Sequence, residues 1–227
     1  MGLVAEAFCE TLWPTRCALC DAPGEVLCDW CRARLDVLDR WRACPTCGAA
    51  FGLKQCDHCT PVAFGDAAPF FCISALRYTD NTGALVKTYK DKGEQRLAPV
   101  LAELLADSID PSWPMWANGI TYITATKAAQ ARRGFDHMKL VAACLARTLG
   151  VPSLQALGEP AARDQRVLGR AQRKQNMQGR FSACRDVSGM RLILVDDVFT
   201  TGSTISEARF ALEAAGAQVR CATIARA

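Results

Sequence analysis

Two adjacent carboxylates followed by a run of small hydroxyl residues form the segment best suited to chemistry. Asp196 and Asp197 come directly after the apolar run 192–195, and residues 200–204 read Thr-Thr-Gly-Ser-Thr. A glycine lets the backbone approach a ligand closely, and the amides at the start of a helix attract anions. We therefore predict a phosphate site formed by all five loop residues: Thr200, Thr201, Gly202, Ser203 and Thr204. The carboxylates would repel a phosphate and are better suited to ribose hydroxyls or to a metal-bound ligand.

Other phosphate-binding motifs are absent from the sequence. It contains neither G-x-x-x-x-G-K-[ST] nor G-x-G-x-x-G after a predicted strand. This excludes a P-loop nucleoside triphosphatase and a dinucleotide site of the Rossmann type. The alternative interpretation of residues 192–204 is a buried strand followed by a helix whose first turn is capped by threonine side chains.

Eight of the 13 cysteines form four C-x-x-C pairs. This spacing lets a tight turn direct both sulfurs at one tetrahedral ion, and four thiolates complete a structural zinc site. We predict two Zn²⁺ sites; disulfides or an iron–sulfur cluster are the alternatives. Pairing of neighbouring motifs is favoured because it closes shorter loops, although a crossed arrangement stays open. The proposed ligands are Cys17, Cys20, Cys28, Cys31, Cys44, Cys47, Cys56 and Cys59.

Hydrophobic periodicity divides the rest of the chain into alternating strands and helices. Strands are predicted at residues 70–78, 119–124, 191–195 and 218–225, helices at 83–90, 95–107, 135–149 and 203–215, and a loop at 108–118. This alternation indicates an α/β fold with a parallel sheet and helices on both of its faces. The predicted domains are a zinc-ribbon module, residues 1–62, and the α/β domain, residues 63–227.

The net charge of +4 is unevenly distributed along the 227 residues. Residues 1–60 carry 6 basic and 8 acidic side chains, which argues against a simple clamp for DNA phosphates in the cysteine-rich head. Residues 120–190 carry 12 basic and 4 acidic side chains. No apolar run is long enough to span a membrane, and no basic region precedes the N-terminal apolar residues. We therefore expect a cytoplasmic protein with no membrane partner.

The segment Val-Asp-Asp-Val-Phe-Thr-Thr-Gly-Ser-Thr resembles the signature with which type I phosphoribosyltransferases bind phosphoribosyl pyrophosphate (PRPP). The resemblance implies that Asp196 and Asp197 contact the ribose hydroxyls as the catalytic acid pair. It also implies that the loop 200–204 holds the 5′-phosphate, and that Mg²⁺ accompanies PRPP. The fold it implies is the parallel sheet of a type I phosphoribosyltransferase.

Further motifs narrow the resemblance to the ComF family, competence-protein-like phosphoribosyltransferases with an N-terminal zinc ribbon. Tyr78 and the segment 85–94 resemble the family's Y-x(n)-L-I-x-x-x-K-F-x-G pattern, with Tyr89 at the position of Lys and Lys90 at that of Phe. Residues 131–142 resemble its R-R-G-F-N motif, with Asp136 for Asn. The last pattern, R-x-Q-x(7)-R-x-x-N-x-x-x-x-F, is matched by Arg163, Gln165, Arg173, Asn176 and Phe181. These motifs span most of the chain in the expected order.

One stretch departs from the family. Where its members carry Pro-Val-Pro facing the pyrophosphate, residues 124–127 read Thr-Ala-Thr-Lys. Thr126, Lys127, Arg132 and Arg133 are the candidate pyrophosphate ligands. The resemblance supplies no general base, and neither His58, in the head, nor His137, in a predicted helix, is compelling.

Two hypotheses for function follow. The first is an enzyme that transfers the phosphoribosyl group of PRPP to an unknown acceptor, with the basic stretch 163–180 closing over the ligand. The second is a non-catalytic protein that retains a PRPP-type or ribose-5-phosphate pocket, with single-stranded DNA or a helicase as its partner in DNA uptake. The association of the family with competence implies that partner. The stretch 163–180 fits either hypothesis, and a solvated basic loop is the third interpretation.

Overall fold

A parallel sheet forms the centre of the molecule. The computed structural model describes residues 14–44, 47–50, 72–160 and 179–227. Within these ranges the strands are β1 (Cys72–Arg77), β2 (Gly119–Tyr122), β3 (Arg191–Phe199) and β4 (Gln218–Arg226). They pair in parallel in the order β1–β4–β3–β2. The predicted parallel sheet, with residues 192–195 in its interior, is therefore confirmed.

The apolar sequence of β3 explains its interior position. Leu192, Ile193, Leu194 and Val195 are all fully buried, as an unbroken apolar strand with helices on both sheet faces should be. Ile193 and Val195 belong to the apolar core on one face, and Leu192 and Leu194 to the core on the other. Because these four residues are held in the core, the carboxyl end of β3 has a fixed position at the edge of the sheet.

Helices cover both faces of the sheet, as predicted. Those of the described ranges are α1 (Asp29–Arg32), α2 (Asp80–Lys90), α3 (Leu97–Ser108), α4 (Ser112–Trp116), α5 (Lys127–Arg133), α6 (His137–Leu149) and α7 (Ser203–Ala214). Apolar residues of α2, α3 and α6 fill the core on one face, and those of α7 fill the core on the other. None of the helices described here is long and apolar enough to cross a membrane.

Two short helices were not predicted, and one strand is longer than predicted. The predicted loop 108–118 contains the short helix α4, and α5 was not predicted. Strand β3 continues to Phe199, so Asp196 and Asp197 lie within it rather than after it. The apolar run ends at Val195, but hydrogen bonding with β4 continues through Phe199 because Arg226 still pairs with it.

The first part of the cysteine-rich head packs directly on the α/β domain. Its residues Leu27 and Leu35 lie in the same apolar core as α3. Residues 36–38 run antiparallel along the edge of β1, where the Leu38 amide donates to the Ala75 carbonyl at 2.9 Å. The predicted boundary at residue 62 stays a prediction, since residues 51–71 lie outside the described ranges.

Candidate functional site

Asp197 is the centre of a cluster of charged side chains from three elements. Its Oδ2 accepts hydrogen bonds from Lys90 Nζ and, at 3.2 Å, from His137 Nε2. Lys90 ends α2, and His137 begins α6. The carboxyl end of β3 therefore receives a cation from a helix that lies about a hundred residues earlier in the chain.

The two neighbouring acids differ in their pKa. Burial of Asp196 and the adjacent charge of Asp197 raise the pKa of Asp196 to about 8. Burial alone would also raise the pKa of Asp197, but the hydrogen bond from His137 and the charge of Lys90 hold it well below its usual range. One carboxyl of the pair is therefore an anion at neutral pH, and the other tends to keep its proton.

Arg133 connects this cluster to α2. Its side chain is 10% exposed, and its Nη2 lies 3.6 Å from Asp91 Oδ1. Its Nη1 lies 3.4 Å from His137 Nδ1. A guanidinium only donates, so Nδ1 must accept, and the imidazole proton lies on Nε2, where it faces Asp197. Arg133 Nε is buried and has no hydrogen-bond partner among the described residues.

The loop 200–204 lies at the N-terminus of α7. Gly202 is the N-cap residue, with a left-handed φ of 75° and no side-chain cap hydrogen bond. A Cβ at this position would lie 2.4 Å from Phe199 Cζ, so both the backbone conformation and the space require glycine. The N-cap residue is therefore not a threonine. The Ser203 amide of the first turn does donate to Thr201 Oγ1 at 3.4 Å, so the alternative interpretation, a first turn capped by threonine side chains, stays open.

Hydroxyl groups surround these helix amides. Thr200, Thr201 and Ser203 are exposed, and Thr204 is partly exposed. Thr201 Oγ1 and Ser203 Oγ lie 2.8 Å apart. Since α7 has 12 residues, its N-terminus presents several amides and a positive partial charge beside these hydroxyls.

The candidate pyrophosphate residues divide into two groups. Arg133 joins the Asp197 cluster, as described above. Thr126 instead caps α5, because its Oγ1 accepts from the Ala129 amide at 3.2 Å. Lys127 lies 3.8 Å from Glu159, and Arg132 is exposed.

Sequence reasoning missed Lys90 and His137. The structure places Lys90, not Tyr89, at the acid pair, and Tyr89 is buried with its hydroxyl donating to the His137 carbonyl. Reading the K-F-x-G pattern from Lys90 to Gly93 preserves its spacing, so the alignment with Tyr89 at the Lys position was wrong. For His137, the signal was its position four residues after Arg133 and directly after the α6 N-cap, Asp136.

The four cysteines of the first two C-x-x-C motifs form a cluster that could bind a metal ion. The Sγ atoms of Cys17, Cys20, Cys28 and Cys31 all lie within 4.8 Å of one another. Burial would raise the pKa of Cys17, but backbone hydrogen bonds from Cys20 and Cys28 outweigh it and lower the pKa to about 6. The first two C-x-x-C motifs thus come together, as the predicted pairing of neighbouring motifs requires. Cys44 and Cys47 are both buried, whereas Cys56 and Cys59 lie outside the described residues.

Comparison with known proteins places the fold in a family. The family model described as "Phosphoribosyl transferase domain" matches residues 117–227. The DNA utilization protein YhgH of Salmonella typhi is 30% identical over 207 residues, which cover 82% of this chain and 88% of that protein. The chain belongs to the ComF family.

Two further matches extend this comparison. Competence protein ComFC of Bacillus subtilis is 22% identical over 193 residues, covering 81% of this ComF-family chain and 76% of that protein. The solved glutamine PRPP amidotransferase of B. subtilis, complexed with ADP and GMP, aligns with 57% of this chain at 22% identity and a TM-score of 0.41, and the alignment spans 26% of that enzyme. The family model and the Salmonella relative confirm the predicted membership, and the parallel strand order agrees with the predicted phosphoribosyltransferase-type sheet. Lys90 and the cysteine cluster lie outside the matched domain.

Proposed function

We propose that this ComF-family protein binds PRPP at the carboxyl edge of its sheet and transfers the phosphoribosyl group to an acceptor. One observation carries the proposal. The loop 200–204 and the acid pair belong to a single strand–loop–helix unit, and Lys90 and Arg133 reach the same edge. A ligand with a phosphate, a ribose and a pyrophosphate requires this combination of amides, carboxylates and cations.

Each group of residues then has a defined role. The amides and hydroxyls of residues 200–204 bind the 5′-phosphate, and Asp196 and Asp197 accept hydrogen bonds from the ribose hydroxyls. Lys90 contacts Asp197, and Arg133 contacts His137 beside it. Both cations attract the pyrophosphate, with Thr126, Lys127 and Arg132 of the adjacent helix as further candidates. In the transfer, the bond from C1 to the pyrophosphate oxygen breaks. The acceptor atom bonds to C1 and releases its proton.

Mg²⁺ is the metal that fits this site. The available donors are carboxylate and hydroxyl oxygens, which hard cations prefer. When bound with PRPP, Mg²⁺ neutralises charge on the pyrophosphate leaving group. Asp197 is already paired with Lys90 and His137. We therefore assign the acid pair mainly to positioning the ribose rather than to binding the metal.

Calorimetry with PRPP and Mg²⁺ tests the pocket. Wild type should bind, and the Asp196→Asn/Asp197→Asn double variant should bind about a hundredfold more weakly. The reason is that the Asp197 anion contributes a charge-assisted hydrogen bond of about 1.5–3 kcal/mol and the protonated Asp196 a neutral one of about 0.5–1.5 kcal/mol. A matched control, Asp29→Asn/Asp186→Asn, removes two exposed carboxylates and should bind like wild type. No heat from wild type at millimolar PRPP would contradict the proposal.

Transfer is tested separately with labelled PRPP. Pyrophosphate release should require an acceptor, supplied as a panel of nucleobases and as single-stranded DNA. Binding without release in any of these mixtures would favour the second hypothesis, a non-catalytic protein with a PRPP-type pocket.

A groove at the opposite edge of the sheet favours a single-stranded DNA partner as a second candidate function. It has a volume of about 460 Å³, and its lining includes Arg40, Trp41, Trp113 and Arg220. Trp41 is 74% exposed, and the Arg40 guanidinium lies 5.0 Å from the centre of its ring. Arginine and tryptophan faces of this kind stack nucleobases and attract phosphates without sequence preference.

Fluorescence anisotropy with an oligothymidylate tests this groove. Trp41→Ala should weaken binding about tenfold, because stacking contributes about 1–3 kcal/mol per base. Trp30→Ala is the matched control, since Trp30 is 62% exposed and is stacked by Arg34 at 4.3 Å outside the groove. Equal losses in the two variants, or none in either, would refute the assignment. Residues 163–178 of the basic stretch lie outside the described residues, so its closure over the ligand stays a prediction. The helicase partner and the cytoplasmic location are likewise still predictions.

We also propose Zn²⁺ as the metal of the cysteine cluster, because four thiols in two C-x-x-C turns are the donor set of a structural zinc site. Metal analysis of the wild type should find about two Zn²⁺ ions per chain, one at the first two C-x-x-C motifs and one at the last two. Cys20→Ser should lose about one ion and lower the melting temperature, since metal binding supplies folding free energy to so small a module. Cys184→Ser, an exposed cysteine outside any pair, should retain both. An unchanged zinc content in Cys20→Ser would exclude this ligand set.

A further inference from the structure

Arg226 lies between the cysteine-rich head and the phosphate loop. It is the last residue of β4, and its Nη1 donates to the Cys47 carbonyl at 2.7 Å. Its Nη2 lies 3.3 Å from Cys47 Sγ. On its other side the guanidinium stacks 4.2 Å from the centre of the Phe199 ring. One side chain therefore contacts both a segment of the head and the end of β3.

The backbone holds Arg226 in this place. Its carbonyl accepts from the Tyr78 amide at 2.6 Å, and the next residue, Ala227, donates to the Phe199 carbonyl at 2.9 Å. Ends of β1, β3 and β4 are thus joined around this arginine. The direction of its side chain is set by Cys47 and Phe199 rather than by solvent.

Phe199 transmits this contact to the phosphate loop. The ring is 6% exposed and directly precedes Thr200. It lies so close to the turn that a Cβ on Gly202 would come within 2.4 Å of Cζ. Because packed interiors deform little, displacement of the ring must displace the left-handed turn that begins α7.

We propose that Arg226 is a positioning residue for the phosphate loop and couples the head, through Cys47, to the anion site. The inference rests on the proposed PRPP site. It assigns the head a role beyond its own folding, since docking of residues 47–50 on Arg226 keeps the Phe199 ring beneath the loop. Without that contact the loop samples other conformations, and the apparent affinity falls in proportion to the fraction that is competent to bind.

The coupling must act in both directions. A ligand that favours the ordered loop also favours the docked head, because the coupling free energy between two sites is reciprocal. PRPP should therefore slow amide exchange in residues 47–50, although none of these residues belongs to the proposed PRPP site. This readout does not depend on catalysis.

Calorimetry and hydrogen exchange on the full-length, metal-loaded protein test the proposal. Arg226→Met, which retains an apolar stem but loses the guanidinium, should weaken PRPP binding about tenfold and abolish the PRPP-dependent protection of residues 47–50. Arg226→Lys retains the charge but not the planar stacking face, and it should behave like the Met variant. If only the charge mattered, the Lys variant would bind like wild type, and positioning would be refuted.

Two further variants complete the test. Arg32→Met removes a different contact between head and domain, the ion pair with Glu103 at 3.1 Å, and should leave PRPP affinity unchanged. Phe199→Leu should reproduce the loss seen in Arg226→Met, which keeps the test valid if an Arg226 variant does not fold. Binding within about twofold of wild type in both Arg226→Met and Phe199→Leu overturns the inference. A wild type that does not bind PRPP overturns the proposed function itself, a result that the Arg226 variants cannot produce.

Discussion

Asp196→Asn should raise the melting temperature at pH 8.5, whereas Asp197→Asn, one residue later, should lower it. The folded-state pKa of Asp196, about 8, is above its ordinary value of 3.8. Its protonated form therefore stabilises the fold below pH 4, and this stability declines as the pH rises towards 8. Asparagine has no charge to bury and does not show that decline. The gain over wild type should already be measurable at pH 5.5, increase with pH and be largest above pH 8.

The opposite sign at Asp197 follows from its partners. Its pKa is held low by His137 and Lys90 in spite of burial, so the anion stabilises the fold above the ordinary carboxyl pKa. That stability is lost only in strong acid. Removing the charge leaves Lys90 without its partner and should cost about 2–3 kcal/mol, or about 5–10 °C in a chain of this size.

Melting curves of both variants between pH 5.5 and 9 measure these effects. Asp186→Asn, at an exposed acid, is the control and should follow wild type throughout. A melting temperature of Asp196→Asn below that of wild type at pH 8.5 would show that burial of the Asp196 charge does not destabilise the fold.

The parts of the site that are local in sequence were predictable. Residues 192–204 contain the buried strand, the acid pair and the glycine turn in one stretch, and the short-range rules for strands, turns and helix starts apply to each of them. The cysteine pairs were equally local. Cys17, Cys20, Cys28 and Cys31 meet because two tight turns lie eight residues apart.

The parts of the site that depend on tertiary contacts were not predictable from the sequence. Lys90 reaches Asp197 across 107 residues. The spacing of the K-F-x-G pattern distinguishes Lys90 from the neighbouring Lys87 and Lys92, but it does not indicate that Lys90 contacts the acid pair. His137 lacked an obvious role because its helix reads as an ordinary amphipathic one. Its function in the cluster follows from the approach of α6 to β3. The contact between Cys47 and Arg226 spans 179 residues, so no pattern within either segment could indicate it.

Gly202→Ala should abolish detectable binding of PRPP and of inorganic phosphate. The new Cβ would lie 2.4 Å from Phe199 Cζ, at a residue whose φ is 75°. Relief of that overlap must move either the ring or the turn, and both movements rotate the first amides of α7 away from the ligand. Loss of two hydrogen bonds between these amides and the phosphate anion corresponds to a factor of at least about a hundred in affinity.

Gly150→Ala separates steric overlap from backbone strain. Gly150 has a φ of 66°, but no atom lies within 4 Å of the Cβ that alanine would add. This variant should be destabilised by about 1–2 kcal/mol through left-handed strain alone, and it should bind PRPP like wild type. Calorimetry and melting curves of the two variants provide the comparison. If Gly202→Ala bound PRPP as well as Gly150→Ala does, the 5′-phosphate could not be held by the amides of this turn.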